Sequence, residues 1–511
     1  MKKYIIVTML FFVAMVQVAN AQNPMNVVWQ TCIKAGTINN IGPSGIVEAL
    51  DKSGYIVSGL SNSDTVANTV VASGYAEGEY RVVFVKLDSA GNYVWHKNGV
   101  KCDINLTGNY APPGITNFKQ TRDKGFIVGG CAYNHNRPAT DNDLYVAKYD
   151  SSLNLQWEHF FGGTRTDSYE MVLQVVEAMD GNFLVAGYSN SNNYDMMPYN
   201  PCIFPPCGPE QSRGMIYKLD KQTGAALIMK KSYTKIKDFF ELEDSTLVTM
   251  SANYYYQRYK PNLDTIGAVK NFGSLFYQDL VRCPDKPGVF LAVGSHNMKD
   301  PQHCNNGAPN TEDGMAIFLA DLGVRQSFHC YGTAADFEDF RLVVTDTYYG
   351  NGGFKGYYLF GTKYTAGWWQ KIDPNGNLIW SQDYANYANI NAAIVDHNGD
   401  LVIVGSPEMS PDPACAASVR NRMVVVKYHE RRVSTEPISA AKSGLAVRSL
   451  GGGQYVVGFG AGTAELRLTD ATGNELRRFA CAGTEQLIDL SSYAQGIYFL
   501  RSGAGAVKLV R

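Results

Sequence analysis

The sequence predicts an all-β protein: a seven-bladed β-propeller, its last blade closed by the N-terminal strand, then a small Ig-like C-terminal β-sandwich. Three observations carry that prediction. The 511 residues are rich in glycine (50) and tyrosine (32) and only 18% charged, the composition of a turn-heavy β protein rather than of long solvated helices. A four-strand unit recurs from about residue 26 to residue 432. A different alternating pattern fills residues 433–511.

The chain opens on a segment that stands outside the repeat. Met1-Lys2-Lys3 is a basic start, an apolar run follows to Val18, and Ala19-Asn20-Ala21 precedes Gln22. This is the pattern of a signal peptide over residues 1–21, cut between Ala21 and Gln22. The run is too short for a stable membrane anchor, no cysteine follows the cut, and no later segment offers ~18 consecutive apolar residues. The expected product is exported and is not an integral membrane protein. Without Lys2 and Lys3 the formal net charge moves from −2 to −4. That balance excludes a nucleic-acid binder held by bulk charge.

All ten cysteines follow the leader: Cys32, Cys102, Cys131, Cys202, Cys207, Cys283, Cys304, Cys330, Cys415 and Cys481. An even number in an exported chain favours some disulfides. No C-x-x-C pair occurs, so a zinc ribbon or thioredoxin-like site has no support. The best local pair is Cys202 and Cys207, in a proline-rich loop. Cys32 and Cys415 form a weaker candidate pair.

The repeat opens with a turn and an apolar strand ending at glycine. Instances are Asp51–Gly59, Asp123–Gly129, Asp180–Gly187, Asp285–Gly294 and Asp396–Gly405. Their Asp/Asn-Gly pieces supply the positive φ of hairpin turns, which explains the acidic residues without calcium. A second strand pair follows, reading apolar-x-apolar-Lys-apolar-Asp, a turn, then Asn-x-x-Trp. Lys86 leads to Asn92 and Trp95, Lys148 to Asn154 and Trp157, and Lys371 to Asn377 and Trp380. Lys218 has a degenerate partner around Leu227. Four short antiparallel strands per unit describe a propeller blade. Gly59, Gly129, Gly187, Gly294, Gly361 and Gly405 mark six units, and Ser245–Met250 a weaker seventh. In the Gly294 unit, Ala316–Asp321 stands where the others carry Lys. The last unit has Lys427 but no Trp strand; that strand stands orphaned at the other end, as Asn26-Val-Val-Trp29. Pairing the two closes the ring and removes an exposed sheet edge.

These units resemble an exported bacterial and archaeal propeller repeat, most closely over Asp143–Gly187 with Trp157-Glu-His-Phe-Phe-Gly-Gly163. They are more distantly similar to pyrroloquinoline-quinone-type repeats. The resemblance implies a scaffold and carries no activity.

The chain has no H-E-x-x-H, G-x-S-x-G or phosphate-loop motif. No catalytic residue, metal ligand or cofactor is expected. His296, Asp300, His303 and Cys304 could bind zinc or copper by residue type, but their spacing fits no metal pattern, and a polar loop is the simpler reading. The repeated Lys86, Lys148, Lys218, Lys371 and Lys427 read as scaffold rather than as an anion-binding ring, and Trp95, Trp157 and Trp380 as inter-blade packing. No adjacent cysteine pair supports a quinoprotein dehydrogenase. Asn105-Leu-Thr107 fits a weak glycosylation sequon. Two insertions, Ser189–Arg213 and Ser295–Asp313, break the period. The first holds Tyr194, Met196, Met197, Tyr199 and Phe204, suited to a protein or glycan contact or to covering a blade edge.

After Val433-Ser-Thr-Glu-Pro437 the pattern changes to short alternating strands, such as Ala464–Asp470, Gln486–Leu490, Gly496–Leu500 and Val507–Val510, enough for a small sandwich. This tail resembles the type A C-terminal sorting domain of the type IX secretion system of Bacteroidetes. The match lies in Asp470 with Gly473, in Gly496-Ile-Tyr498-Phe-Leu, and in Val507-Lys508-Leu-Val510. The usual opening Pro-Asn-Pro is absent. The resemblance implies Sec export through the periplasm, then passage through the type IX translocon, cleavage by a sorting protease, and release or attachment at the outer-membrane surface.

Two functions from different classes follow. One is a surface or secreted binding protein with a protein or glycan ligand. The other is a secreted enzyme (hydrolase, lyase or quinoprotein-like) with its site in the propeller channel. Carboxylates or histidines ringing the channel favour the enzyme; a channel of backbone and apolar groups favours binding.

Overall fold

The computed structural model describes residues 25–34, 41–61, 79–103, 115–133, 142–162, 170–189, 213–232, 236–251, 255–271, 275–297, 312–320, 324–332, 338–347, 354–363, 366–386, 390–406, 422–430, 445–451, 453–459, 465–470, 473–481, 484–494, 497–502 and 505–510. They divide into two compact units, Met25–His429 and Glu430–Arg511. Among the described residues no helix is long and apolar enough to cross a membrane.

The first unit holds seven four-stranded antiparallel sheets. Blades 1 to 6 take their strands consecutively from residues 41–103, 115–161, 170–232, 236–271, 275–331 and 338–386. Blade 7 joins Ile390–Val395, Leu401–Gly405 and Arg422–Glu430 to Met25–Lys34 from the far end of the chain. The orphan Trp29 strand is therefore the fourth strand of the last blade, as its Asn-x-x-Trp pattern predicts. The first strand of each blade contacts the first strands of its two neighbours, in cyclic order round to blade 1. These are the innermost strands, and the ring is closed.

The core is divided among the blade interfaces. Seven apolar clusters each bridge two neighbouring blades. One sets Val83 and Val85 of blade 1 against Val402 and Val404 of blade 7, with Trp29 packed on it. Strands buried on both faces read as apolar runs, which is why Leu401–Gly405 is buried throughout.

The repeat's motifs act as blade-to-blade fasteners. Trp157 Nε1 donates to Lys221 O in the next blade's outer hairpin at 3.2 Å. Beneath that ring lies Gly224 at φ +70°, where a Cβ would stand 2.4 Å from the Trp157 ring. In three outer turns the Asp accepts the backbone and side-chain N–H groups of the Asn four residues on: Asp88 from Asn92, Asp150 from Asn154, Asp373 from Asn377.

The second unit is a two-sheet structure with its own core. One sheet orders its strands Leu445–Gly451, Gln454–Phe459, Glu485–Asp489; the other Glu475–Ala480, Glu465–Asp470, Ile497–Ser502, Gly505–Val510. Leu466, Leu468, Ile488, Leu500 and Leu509 fill its interior.

The expectation of a disulfide framework is corrected at three cysteines: Cys131, Cys283 and Cys481 are in no disulfide. Cys131 and Cys283 are buried in the propeller, where a thiol packs as a small hydrophobe, and burial pushes the Cys283 thiol up to about 11. Cys32 and Cys330 are disulfide-bonded. The pair Cys202 and Cys207 lies outside the described residues.

Candidate functional site

Every innermost strand carries a β-bulge at the same slot, next to Gly45, Asn117, Gln174, Asp238, Asp279, Leu342 and Ala392 in blades 1 to 7. A bulge re-aims the side chain beside it. Four consecutive blades place a polar residue there and the other three a glycine or apolar residue, so one side of the axis is a polar arc.

The arc is a connected network. Asn117 Nδ2 and Lys119 Nζ donate to Gln174 Oε1 at 2.6 and 2.8 Å, and Gln174 Nε2 donates to Asp238 Oδ1 at 2.5 Å. Asp238 also accepts from Phe239 N at 2.7 Å. Asp279 accepts from Leu280 N at 2.9 Å and, across the blade boundary, from Val343 N at 2.8 Å. The bulged residues form a second tier, in which Lys237 donates to Gln278, and Arg341 donates to Asp339 at 3.3 Å.

Burial dominates the electrostatics. It raises the Asp238 carboxyl and carries that of Asp279 to about 7, with the charge of Asp238 adding to the rise. It lowers the Lys119 and Lys237 ammonium groups, against the pull of nearby carboxylates. A carboxyl titrating near neutrality can exchange a proton with a ligand in the channel. Yet Asp238 and Asp279 each already accept two hydrogen bonds, one of which ties neighbouring blades together.

These residues carry no motif in the sequence. Their signal is a polar residue in the strand before each turn, at an offset that bulges and turn lengths blur. The repeated lysines are legible, and the structure uses them internally. Lys148, Lys218, Lys371 and Lys427 pair with Asp123, Asp180, Asp346 and Asp396 at 2.6–2.8 Å, and Lys86 donates to Ser53 at 2.8 Å. In blade 4 Arg258 takes the slot, with Asp244. In blade 5 Phe318 takes it, and Lys286 from the turn lies 4.9 Å over its ring.

One group of metal-ligand types gathers among the described residues: Glu48, Asp396 and His397. Its geometry is that of a latch. Glu48 accepts His397 N at 2.9 Å across blades 1 and 7. Glu177 accepts Arg122 N, and Glu241 accepts Met179 N, across two other interfaces that have no histidine. Asp396 is engaged by Lys427 and Tyr55.

Of the proposed histidine cluster, His296 lies in a strand opposite Asp313; Asp300, His303 and Cys304 fall outside the described residues, as do Ala21, Gln22, Gly496, Asn105 and the aromatic residues of the first insertion. Asp470 accepts from Asn474 N at 2.9 Å, repeating the propeller's outer-turn chemistry, and Gly473 has φ +93°. Tyr498 is buried and pairs with Asp470 across adjacent strands, and Lys508 stands opposite Phe499.

No protein-family model and no curated protein matches the chain. Among solved structures it is similar to BBS1N in complex with ARL6DN (TM-score 0.43, 6% identity, 80% of this chain and 98% of that one). It is also similar to Chaetomium thermophilum Raptor (TM-score 0.44, 10% identity, 79% of this chain and 29% of that one). Likeness at this level carries no argument about activity; the propeller assignment rests on the strand pairing.

Proposed function

We propose that the chain is an exported interaction protein: a propeller that binds a protein or glycan, carried out through the type IX translocon by its C-terminal unit. The observation that carries the reading is the arrangement of the sorting-type residues. Asp470 and Gly473 make one turn of a separately cored sandwich, and Tyr498 and Lys508 lie on the strands beside it. The leader ending at Ala21 supports entry into the periplasm and a final position outside the cell or on the outer-membrane surface. The binding role is supported by how the repeat spends its charge, since the recurrent lysines, aspartates and tryptophans serve blade contacts. Fusing residues 430–511 to a signal-peptide-bearing reporter tests the route in a bacterium with a type IX system. The reporter reaches the surface or medium; a reporter held in the periplasm contradicts the proposal.

The channel carboxylates favour a second reading, a secreted enzyme using Asp279 as proton donor. Asp279→Asn then abolishes turnover of whichever substrate a hydrolase or lyase screen finds, and a screen with no turnover removes the reading.

A further inference from the structure

Blades 5 and 6 enclose a groove of about 780 Å³ between the strand Val324–Tyr331, the turn at Gly376, and the strands Ala366–Ile372 and Leu378–Asn386. That volume lies within the range of small-ligand sites. A polar residue at one repeat slot makes its wall polar. The residue before the repeated Lys faces the preceding blade, and there Val85, Ala147, Tyr217, Ile317 and Val426 join the apolar interface clusters. Blades 4 and 6 have glutamine in that slot: Gln257 turns its amide nitrogen to the carbonyls of Arg258 and Ile266, whereas Gln370, only 2% exposed, lines the groove.

The surroundings fix the amide. Gln370 Nε2 donates to Ser381 Oγ at 3.1 Å, and Trp368 Nε1 donates to the same oxygen at 2.8 Å. With two donors on its oxygen, the Ser381 hydroxyl has its own proton free to give. Gln370 Oε1 has no hydrogen-bond partner, and neither does His329 Nε2 in the same lining. A buried acceptor left unpaired costs about 1–3 kcal/mol, so the site is built to receive donors. Burial holds the His329 imidazole below its ordinary value, leaving it neutral near pH 7. The lining holds one cation and one anion, Lys363 and Asp383, and Lys363 is paired with Glu338 at 3.8 Å.

We propose that this groove binds a neutral, hydroxyl-rich saccharide. Each sugar hydroxyl is both donor and acceptor, and can give its proton to Gln370 Oε1 or His329 Nε2 while accepting from Ser381. The inference rests on the binding role proposed above, and not on the export route.

The test is calorimetric titration of the full chain with maltotriose, cellotriose and chitotriose, with spermidine and trigalacturonate as charged controls. At least one neutral trisaccharide binds and the controls do not. Gln370→Leu, which places there an apolar residue such as five other blades carry, weakens binding about tenfold or more, the worth of a buried hydrogen bond, with the melting temperature unchanged or raised. Ser381→Ala, on the same face of the sheet and at a more open position, weakens it as well. No binding by any neutral sugar, binding of the charged controls instead, or full affinity in Gln370→Leu overturns the assignment. None of these outcomes touches sorting by the tail, which the reporter fusion reads separately.

Discussion

Trp29 Nε1 donates to the carbonyl oxygen of Ser89 at 3.1 Å, so a residue near the start of the chain clamps the outer turn of blade 1. Trp157 and Lys221 repeat the relationship between blades 2 and 3. Both indoles lie over a turn glycine, Gly91 and Gly224. The ring therefore closes with the same fastener that holds interior blades together.

Substituting Gly91 tests that fastener. Gly91 has φ +83°, and a Cβ there would stand 2.5 Å from the Trp29 ring. Gly267, at φ +68°, would meet nothing within 4 Å. Gly267→Ala then costs about 1 kcal/mol of backbone strain, while Gly91→Ala costs about 2–4 kcal/mol, as overpacking adds to it. Denaturant unfolding of the two variants measures the difference; equal losses would show that Trp29 does not press on Gly91.

Deleting residues 22–36 leaves blade 7 a strand short, with Arg422–Glu430 as an open edge. Aggregation or a clear fall in melting temperature is expected. A truncated chain melting at the parent temperature would mean the ring does not depend on that strand.

Lys427 and Asp396 form a buried pair at 2.8 Å, and Tyr55 donates to the same carboxylate at 2.6 Å. Although burial opposes it, the hydrogen bonds from Lys427 and Tyr55 hold the Asp396 carboxyl below its ordinary value. Its contribution to stability is therefore present above pH 4 and is lost as pH falls further. Lys427→Met strands a buried carboxylate and costs about 3–5 kcal/mol near pH 7, a loss that shrinks in acid. Lys230→Met, in an exposed pair with Asp264, changes stability by less than about 1 kcal/mol. Thermal melts from pH 3 to pH 7 read both.

Asp279 has the opposite sign. Its folded carboxyl titrates near 7, above the ordinary 3.8, so the folded state holds the extra proton between those values. The stability linked to this group is present at low pH and declines as pH rises from about 4 through 7. The charged groups that act on it are Asp238, Lys119 and Lys237, and Asp339 and Arg341 act in turn on Lys237. Asp279→Asn removes that part of the pH dependence, so its melting temperature relative to the parent rises from pH 5 to pH 8. A parallel pair of profiles would show that Asp279 is ionised across the range.

What was legible in the sequence follows from which residues repeat. Strands two to four carry the turn, the Gly, the Lys and the Trp, because every blade needs the same contacts there, and the blade number and ring closure follow from counting them. The innermost strands carry no shared motif: each meets different neighbours across the axis, so Asn117, Gln174, Asp238 and Asp279 differ from blade to blade. Gln370 was hidden for a related reason, as a polar residue at a mostly apolar slot acquires meaning only when the facing blade is known. The cysteine count misled in part, because an even number says nothing about which thiols are buried apart, as Cys131 and Cys283 are, and which are bonded, as Cys32 and Cys330 are.

The most direct test of the exported interaction protein is deletion of residues 436–511, followed by fractionation of a type IX-competent bacterium and protease treatment of intact cells. The account predicts a folded propeller that accumulates in the periplasm, protected from added protease and missing from the surface and the medium. A deleted protein that still reaches the surface in normal amount would contradict it.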